Sequence, residues 1–296
     1  MNAAESSFEL TQSVRRHDGF EVYTLSNASV EIAVAPELGA KIVSLKNAKT
    51  GREWLWRPGE NLKLFRNRAG DDFSASPLTG LDECLPTIAP CSWQGRELPD
   101  HGEVWNAAWS VDEKVWKHGA LRTSARLPIS PFDFERTIEL RGNEVRLSYR
   151  LHNRGAAQER FLWAMHPLLR LRACDRLLMP PSTRALCNGE AWVDAVDTAV
   201  PNGKCSKLFV WPVSQGEASI CNTTSGDRLD LAWSPAENRA LGLWLTRGGW
   251  HGHHHFALEP ANGDADALSE AAARNRCGAI AANDSAAWRV SFRVGP

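Results

Sequence analysis

Three short stretches of this chain join an ionisable side chain to a residue that constrains the backbone. In LPDHGEVW (98–105), His101 precedes Gly102, which permits positive φ or close backbone approach in a polar loop. In FLWAMHPLLRL (161–171), a lone His166 sits within an apolar run and precedes Pro167, which cannot donate to a sheet ladder. In HFALEPANG (255–263), Glu259 follows an apolar strand-like run and precedes Pro260, which points to a carboxylate at a strand end. An imidazole and a carboxylate can pass protons between oxygen atoms, since free His and Glu titrate near ~6.5 and ~4.3. Each residue also has a plain reading: His101 as loop surface, His166 as a hydrogen-bonded core histidine, Glu259 as a turn cap. No one of the three decides a function by itself.

A fourth stretch, WHGHHHF, crowds His251, His253, His254 and His255. Strand alternation puts His251, His253 and His255 on one face and His254 on the other. A cleft-lining role for His255, on the same strand as Glu259, is favoured over a metal site, because typical helical pairings and a cysteine partner are absent. The seven cysteines are spread singly with no C-x-x-C pair, so neither a zinc ribbon nor a disulfide framework is suggested. Neither a phosphate-binding loop nor a nucleophile elbow occurs. No metal or other cofactor is expected.

The elements that would hold these residues read as strands. Phe134, Arg136, Ile138 and Leu140 alternate with polar residues, Gly142-Asn143 follows, and Val145, Leu147, Tyr149 and Leu151 alternate again. Two period-2 runs around Gly-Asn predict a β-hairpin over 133–152. Val30–Val34, Ile42–Leu45, Leu241–Thr246 and Trp288–Val294 read as further strands. One helix is expected over Asp264–Arg276, capped by Asp264. The expected architecture is all-β: a large antiparallel β-sandwich with few short helices, forming one domain over 18–296 behind a loose tail at 1–17.

Composition narrows the partners. With 34 basic against 35 acidic residues, the chain offers no basic stripe for nucleic acid. No run reaches the ~18 apolar residues of a membrane helix, and no secretory signal opens the chain, so a reducing cytoplasm is expected. Thirteen tryptophans stand against two tyrosines. Most should fill a wide β core, with two or three free to stack on the C–H face of a sugar.

The ordered set of motifs resembles the aldose 1-epimerase family and its relatives, the hexose-6-phosphate mutarotases. VEIAVAPELGAKIVSLKNAKTGREWLW resembles the opening strands, DHGEVWNAAW the His-Gly loop, RTIELRGNEVRLSYRLHNRG the central hairpin leading into WAMHPLLRL, and ALEP the segment with the catalytic glutamate. The resemblance spans about residues 20–294 and implies a galactose mutarotase-like supersandwich with an open cleft for a monosaccharide. It implies His166 as general acid, Glu259 as general base and His101 as a substrate-orienting partner. Arg66 or Arg68 would hold sugar hydroxyls, and Asp194 or Asp197 would supply the substrate-binding aspartate. Asp82 and Glu83 are candidate specificity residues. In the phosphate-specific relatives an arginine follows the His-Gly loop; here Trp105 or its neighbours hold that place, although Arg170 and Arg172 could offer an anion site elsewhere. The reaction implied is interconversion of the α and β anomers of a free aldose. The alternatives are epimerisation of a modified sugar or hexose 6-phosphate, and non-catalytic carbohydrate binding.

Overall fold

A computed structural model describes residues 9–68, 70–170, 172–186 and 201–295. Two large antiparallel sheets face each other, with strands numbered in chain order. The nine-stranded sheet contains Thr11–His17 (β1), Phe20–Ser26 (β2), Val30–Ala35 (β3), Lys41–Asn47 (β4), Leu81–Cys84 (β5), Ala164–Leu169 (β13), Lys204–Val210 (β15), Ala240–Arg247 (β18) and His254–Ala261 (β19). Their spatial order is β1-β2-β3-β4-β5-β13-β19-β18-β15. The eight-stranded sheet contains Ser110–Val111 (β8), Leu121–Arg126 (β9), Phe132–Arg141 (β10), Glu144–Asn153 (β11), Asp175–Leu178 (β14), Glu217–Asn222 (β16), Arg228–Trp233 (β17) and Ser285–Gly295 (β21). Two small ribbons complete the strands: Cys91–Trp93 (β6) with Arg96–Leu98 (β7), and Glu159–Phe161 (β12) with Gly278–Ile280 (β20).

The alternation that predicts the hairpin also builds the core. Ile138 pairs with Leu147 and Phe134 with Leu151 across β10 and β11, so the apolar set of each strand faces the other sheet. Phe134, Tyr149 and Trp288 stack there, and Trp163, just before β13, tilts against the last two. Offset aromatic contacts of this kind add to the area they bury.

Two expectations about the termini of elements change. Residues 11–17 form β1, paired along its length with β2, so the sheet begins inside the stretch expected to be a tail. The helix expected over 264–276 shrinks to Leu268–Ala273 (α3), whose N-cap, Ala267, makes no side-chain bond. Asp264 instead binds Arg276 at 2.6 Å, and the Asp266 carbonyl accepts from the amides of Ile88 and Ala89. Residues 264–267 are committed to docking the chain against the 86–89 loop, which leaves the helix only its Ala-rich middle. The other α-helices among the described residues are Glu113–Lys117 (α1) and Pro181–Leu186 (α2). No helix among the described residues is long and apolar enough to cross a membrane.

The register of the nine-stranded sheet creates a polar row. Ala164 lies opposite Ala261 and Leu168 opposite Ala257, a register that sets His166 opposite Glu259. On the other side of β13, His166 pairs with Asp82. The pairing of Ile42 with Leu81 puts Lys41 opposite Asp82, and Gly242 on β18 faces Glu259. Lys41, Asp82, His166 and Glu259 thus stand side by side across four strands. Their chain neighbours Glu83, Met165, Leu258 and Pro260 point the other way, as the pleat requires. The row would be unaffordable in an apolar core; it lies on the outer face of the sheet, beneath a cleft.

Candidate active site

The cleft is a cavity of about 290 Å³ whose floor is His166, Leu168, Lys207, Trp244 and His255, all from the outer face of β13, β15, β18 and β19. Its opposite wall comes from loops carrying Asp72, Phe73, Asp100 and His101. This volume lies at the small end for ligand pockets.

His166 is 7% exposed and its Nδ1 lies 2.7 Å from Glu259 Oε1. Glu259 is fully buried and sits behind the histidine rather than on the cavity wall. Proline at 167 and at 260 removes two amide donors beside this pair, on strands that lie inside the sheet. Glu259 is therefore not at a strand terminus, as its sequence context suggests, but within β19. Gly242 makes its position possible, because a Cβ there would stand 2.7 Å from Glu259 Oε2. Through that gap Glu259 Oε2 reaches Lys207 Nζ at 3.2 Å, and Lys207 also meets Asp266 Oδ1 at 2.6 Å.

Electrostatics follow from these contacts. Burial alone would raise the Glu259 pKa, but Lys207 and His166 outweigh it and hold the carboxyl at about 2. Burial opposes the charge on Lys207, yet Glu259 and Asp266 raise its pKa above the ordinary value. Glu259 is a carboxylate and Lys207 an ammonium at neutral pH.

His101 approaches from the loop side. Its φ is +55° and that of Gly102 +75°. A Cβ on Gly102 would collide with the Leu85 carbonyl oxygen at 2.1 Å, so glycine is required there. His101 Nδ1 lies 2.9 Å from Asp100 Oδ1, and Asp100 Oδ2 accepts from the Phe73 amide at 2.8 Å. Phe73 stacks on the imidazole at 4.0 Å. Burial pushes the His101 pKa down despite the neighbouring Asp100. The His101 and His166 ring centroids are 5.4 Å apart, so two histidines, each tied through Nδ1 to a carboxylate, meet at one cavity.

His255 is the third histidine at the cavity. Its Nε2 accepts from Trp244 Nε1 at 3.3 Å, and Trp56 packs at 4.5 Å. Burial, with His166 nearby, drives its pKa down to about 3, so it is a neutral wall. Trp244 and Trp250 line the cavity. No group of three or more His, Cys, Asp or Glu side chains among the described residues is placed to hold a metal ion.

Several expected contacts lie elsewhere. Arg66 is exposed and pairs with Glu37 at 3.2 Å; Arg68 is exposed, held through its backbone by Asp71 and Asn106. Neither lines the cavity. Glu83 points into the sandwich core, where Arg136 at 2.9 Å, Tyr149 and Trp163 bind it. Burial raises its pKa despite Arg136. Asp82 stands beside His166 but is buried in an ion pair with Lys41 and does not reach the cavity. Trp105 is buried as a prop: its Nε1 donates to the Asp100 carbonyl at 2.9 Å and its ring packs on Phe73. Asp194 and Asp197 lie outside the described residues. Lys207, Asp100, Asp266 and Phe73 are the functional candidates that the sequence reading missed.

No family model and no curated protein matches the chain. Solved structures do. A candidate aldose 1-epimerase from Klebsiella pneumoniae superposes with a TM-score of 0.72 at 14% identity, covering 99% of this chain and 86% of that one. A galactose mutarotase-like protein from Clostridium acetobutylicum gives 0.71 at 14% identity, covering 98% and 99%. The fold is galactose mutarotase-like. A protein from Synechocystis, 18% identical, covers 100% of this chain and 99% of its own with a TM-score of 0.65. Identities this low establish the fold and leave the reaction to be argued from the site.

Proposed function

We propose that the protein is a cofactor-independent aldose 1-epimerase that interconverts the anomers of a neutral monosaccharide. The observation that carries this reading is the pair of carboxylate-held histidines, His166–Glu259 and His101–Asp100, facing one monosaccharide-sized cavity.

Anomer exchange removes the proton from the C1 hydroxyl oxygen, breaks the bond from C1 to the ring oxygen and protonates that oxygen. Rotation about C1–C2 and the reverse steps then close the other anomer. Both oxygens are bonded to C1, so one imidazole can take the first proton and return it to the second. The resemblance assigns proton abstraction to Glu259. The geometry favours His166 instead, since Glu259 is buried behind it with both oxygens engaged and is a weak base at a pKa of about 2. A carboxylate on Nδ1 orients the ring and stabilises the imidazolium that forms, the role such groups play in other carboxylate–histidine pairs. His101, kept neutral by burial with Nδ1 on Asp100, offers Nε2 as an acceptor that orients a sugar hydroxyl. Trp244, Trp250 and Phe73 supply apolar faces for the ring.

Among the described residues no arginine lines the cavity, and its charged wall is mainly acidic: Asp72, Asp100 and Asp266 against Lys207. That favours a neutral sugar over a phosphorylated one. The test is a polarimetric panel of freshly dissolved aldoses, uronic acids and hexose 6-phosphates. Acceleration confined to neutral sugars supports the proposal. Binding without acceleration of any would make the protein a carbohydrate-binding module.

A further inference from the structure

Lys207 comes from β15, at the edge of the sheet, and it ends in the cavity floor. Its ammonium bridges two carboxylates of different standing. Glu259 is fully buried, whereas the Asp266 side chain is 42% exposed, so water shares the charge of Asp266 but not that of Glu259. Among the described residues, the buried thiol of Cys84 also lies near Glu259, and His166 is faced by His101, His255 and Asp82, the last already neutralised by Lys41. Among the described residues, Lys207 is the cation in contact with the His166–Glu259 pair.

A buried carboxylate beside a neutral imidazole leaves a net negative charge that burial opposes. The pair can lose that charge in two ways: a cation stands next to it, or it binds a proton. If a proton binds, it sits on Glu259 or on the imidazole. On Glu259 it makes the carboxyl the donor to Nδ1 and moves the histidine proton to Nε2. On the imidazole it makes an imidazolium. Both leave Nε2 protonated and unable to accept from a sugar hydroxyl. We propose that Lys207 is a positioning residue: by standing against Glu259 it keeps the His166–Glu259 pair one proton short, so that His166 Nε2 faces the cavity as an open acceptor. Glu259, as an ionised acceptor, then requires the ring proton on Nδ1, which matches the 2.7 Å contact.

The protonation claim stands without any substrate, whereas its catalytic consequence rests on the function proposed above. The experiment separates them. Full-length protein labelled with 15N-histidine is examined at neutral pH without sugar, and the His166 ring nitrogens are read by their one- and two-bond proton correlations. Wild type should show a protonated Nδ1 and a bare Nε2. Lys207→Met should show a protonated Nε2, with Lys207→Arg restoring the wild-type pattern. Lys207→Gln keeps a neutral donor to Glu259 and provides the same reading if the methionine variant does not fold. In the anomer-exchange assay Lys207→Gln should lower kcat by about 10²–10⁴-fold, with KM changed far less and activity recovering in Lys207→Arg. A protonated Nε2 in wild type overturns the proposal without recourse to any variant. So does a folded Lys207→Met or Lys207→Gln protein whose Nε2 stays bare. A wild type with no exchange activity but the expected nitrogen pattern would leave the Lys207 assignment standing and refute the reaction.

Discussion

Replacing Glu259 by glutamine removes a buried charge held between Lys207 and His166. Lys207 and His166 together lower the carboxyl from its ordinary 4.5 to about 2 despite burial. At about 1.4 kcal/mol for each tenfold change in proton affinity, the ionised form is favoured in the folded state by about 3 kcal/mol. A carboxylate whose folded pKa is depressed stabilises the protein above its unfolded pKa, and the contribution fades as pH falls through the folded value. It is therefore complete above about pH 5, reduced to about 1 kcal/mol at pH 3, and lost near pH 1. Glu259→Gln should cost about 3 kcal/mol at pH 7 and about 1 kcal/mol at pH 3. With a urea slope of about 3 kcal/mol per M, the unfolding midpoint should drop by about 1 M at neutral pH and by about a third of that at pH 3. Paired urea titrations of the two proteins at both pH values make the measurement. A variant equally destabilised at pH 3 and pH 7 would show that lost packing, not charge, is the cause. A variant unaffected at pH 7 would refute the coupling to Lys207 and His166.

Other outcomes follow from single contacts. A hexose 6-phosphate should exchange anomers no faster than its neutral parent by kcat/KM, and Arg170→Ala should change neither rate; a clear gain for the phosphate lost in that variant would contradict the acidic reading of the cavity. Chelator should leave anomer exchange unchanged, because among the described residues no three His, Cys, Asp or Glu side chains are placed to hold a metal ion; activity lost on chelation and restored by zinc would say otherwise. Glu83→Ala should strand Arg136 in the sandwich core and destabilise the protein by about 3–5 kcal/mol, measured by urea unfolding. Gly102→Ala forces a Cβ against the Leu85 carbonyl and should raise KM by displacing His101; an unchanged KM would detach that loop from the substrate.

The legible part of the fold was the part written in local alternation. The 132–153 hairpin and the strands around 30–47 and 285–295 carry their faces in their own period, whereas 240–247 is marked by a nearly continuous apolar run. His101, His166 and Glu259 were legible as candidates because each adjoins a glycine or proline that marks unusual backbone. What joins them is register between distant strands, and no local window contains it. Lys207 in KCSKLFV looks like one of the charges that commonly mark an edge strand, and only the empty space over Gly242 gives it a buried partner. Asp82 and Glu83 illustrate the same limit, since adjacent strand residues face opposite ways and the sequence does not say which way is the cleft. Arg66 and Arg68 were offered by the resemblance alone, and neither side chain lines the cavity.

The central claim is that His166 moves the proton in anomer exchange, and exchange spectroscopy on the anomeric protons of glucose and galactose tests it most directly. Wild type should speed the exchange, and His166→Asn, with its urea midpoint checked to show that it is folded, should lower kcat by about 10²–10⁴-fold. A folded His166→Asn protein that exchanges the anomers at the wild-type rate would contradict the account.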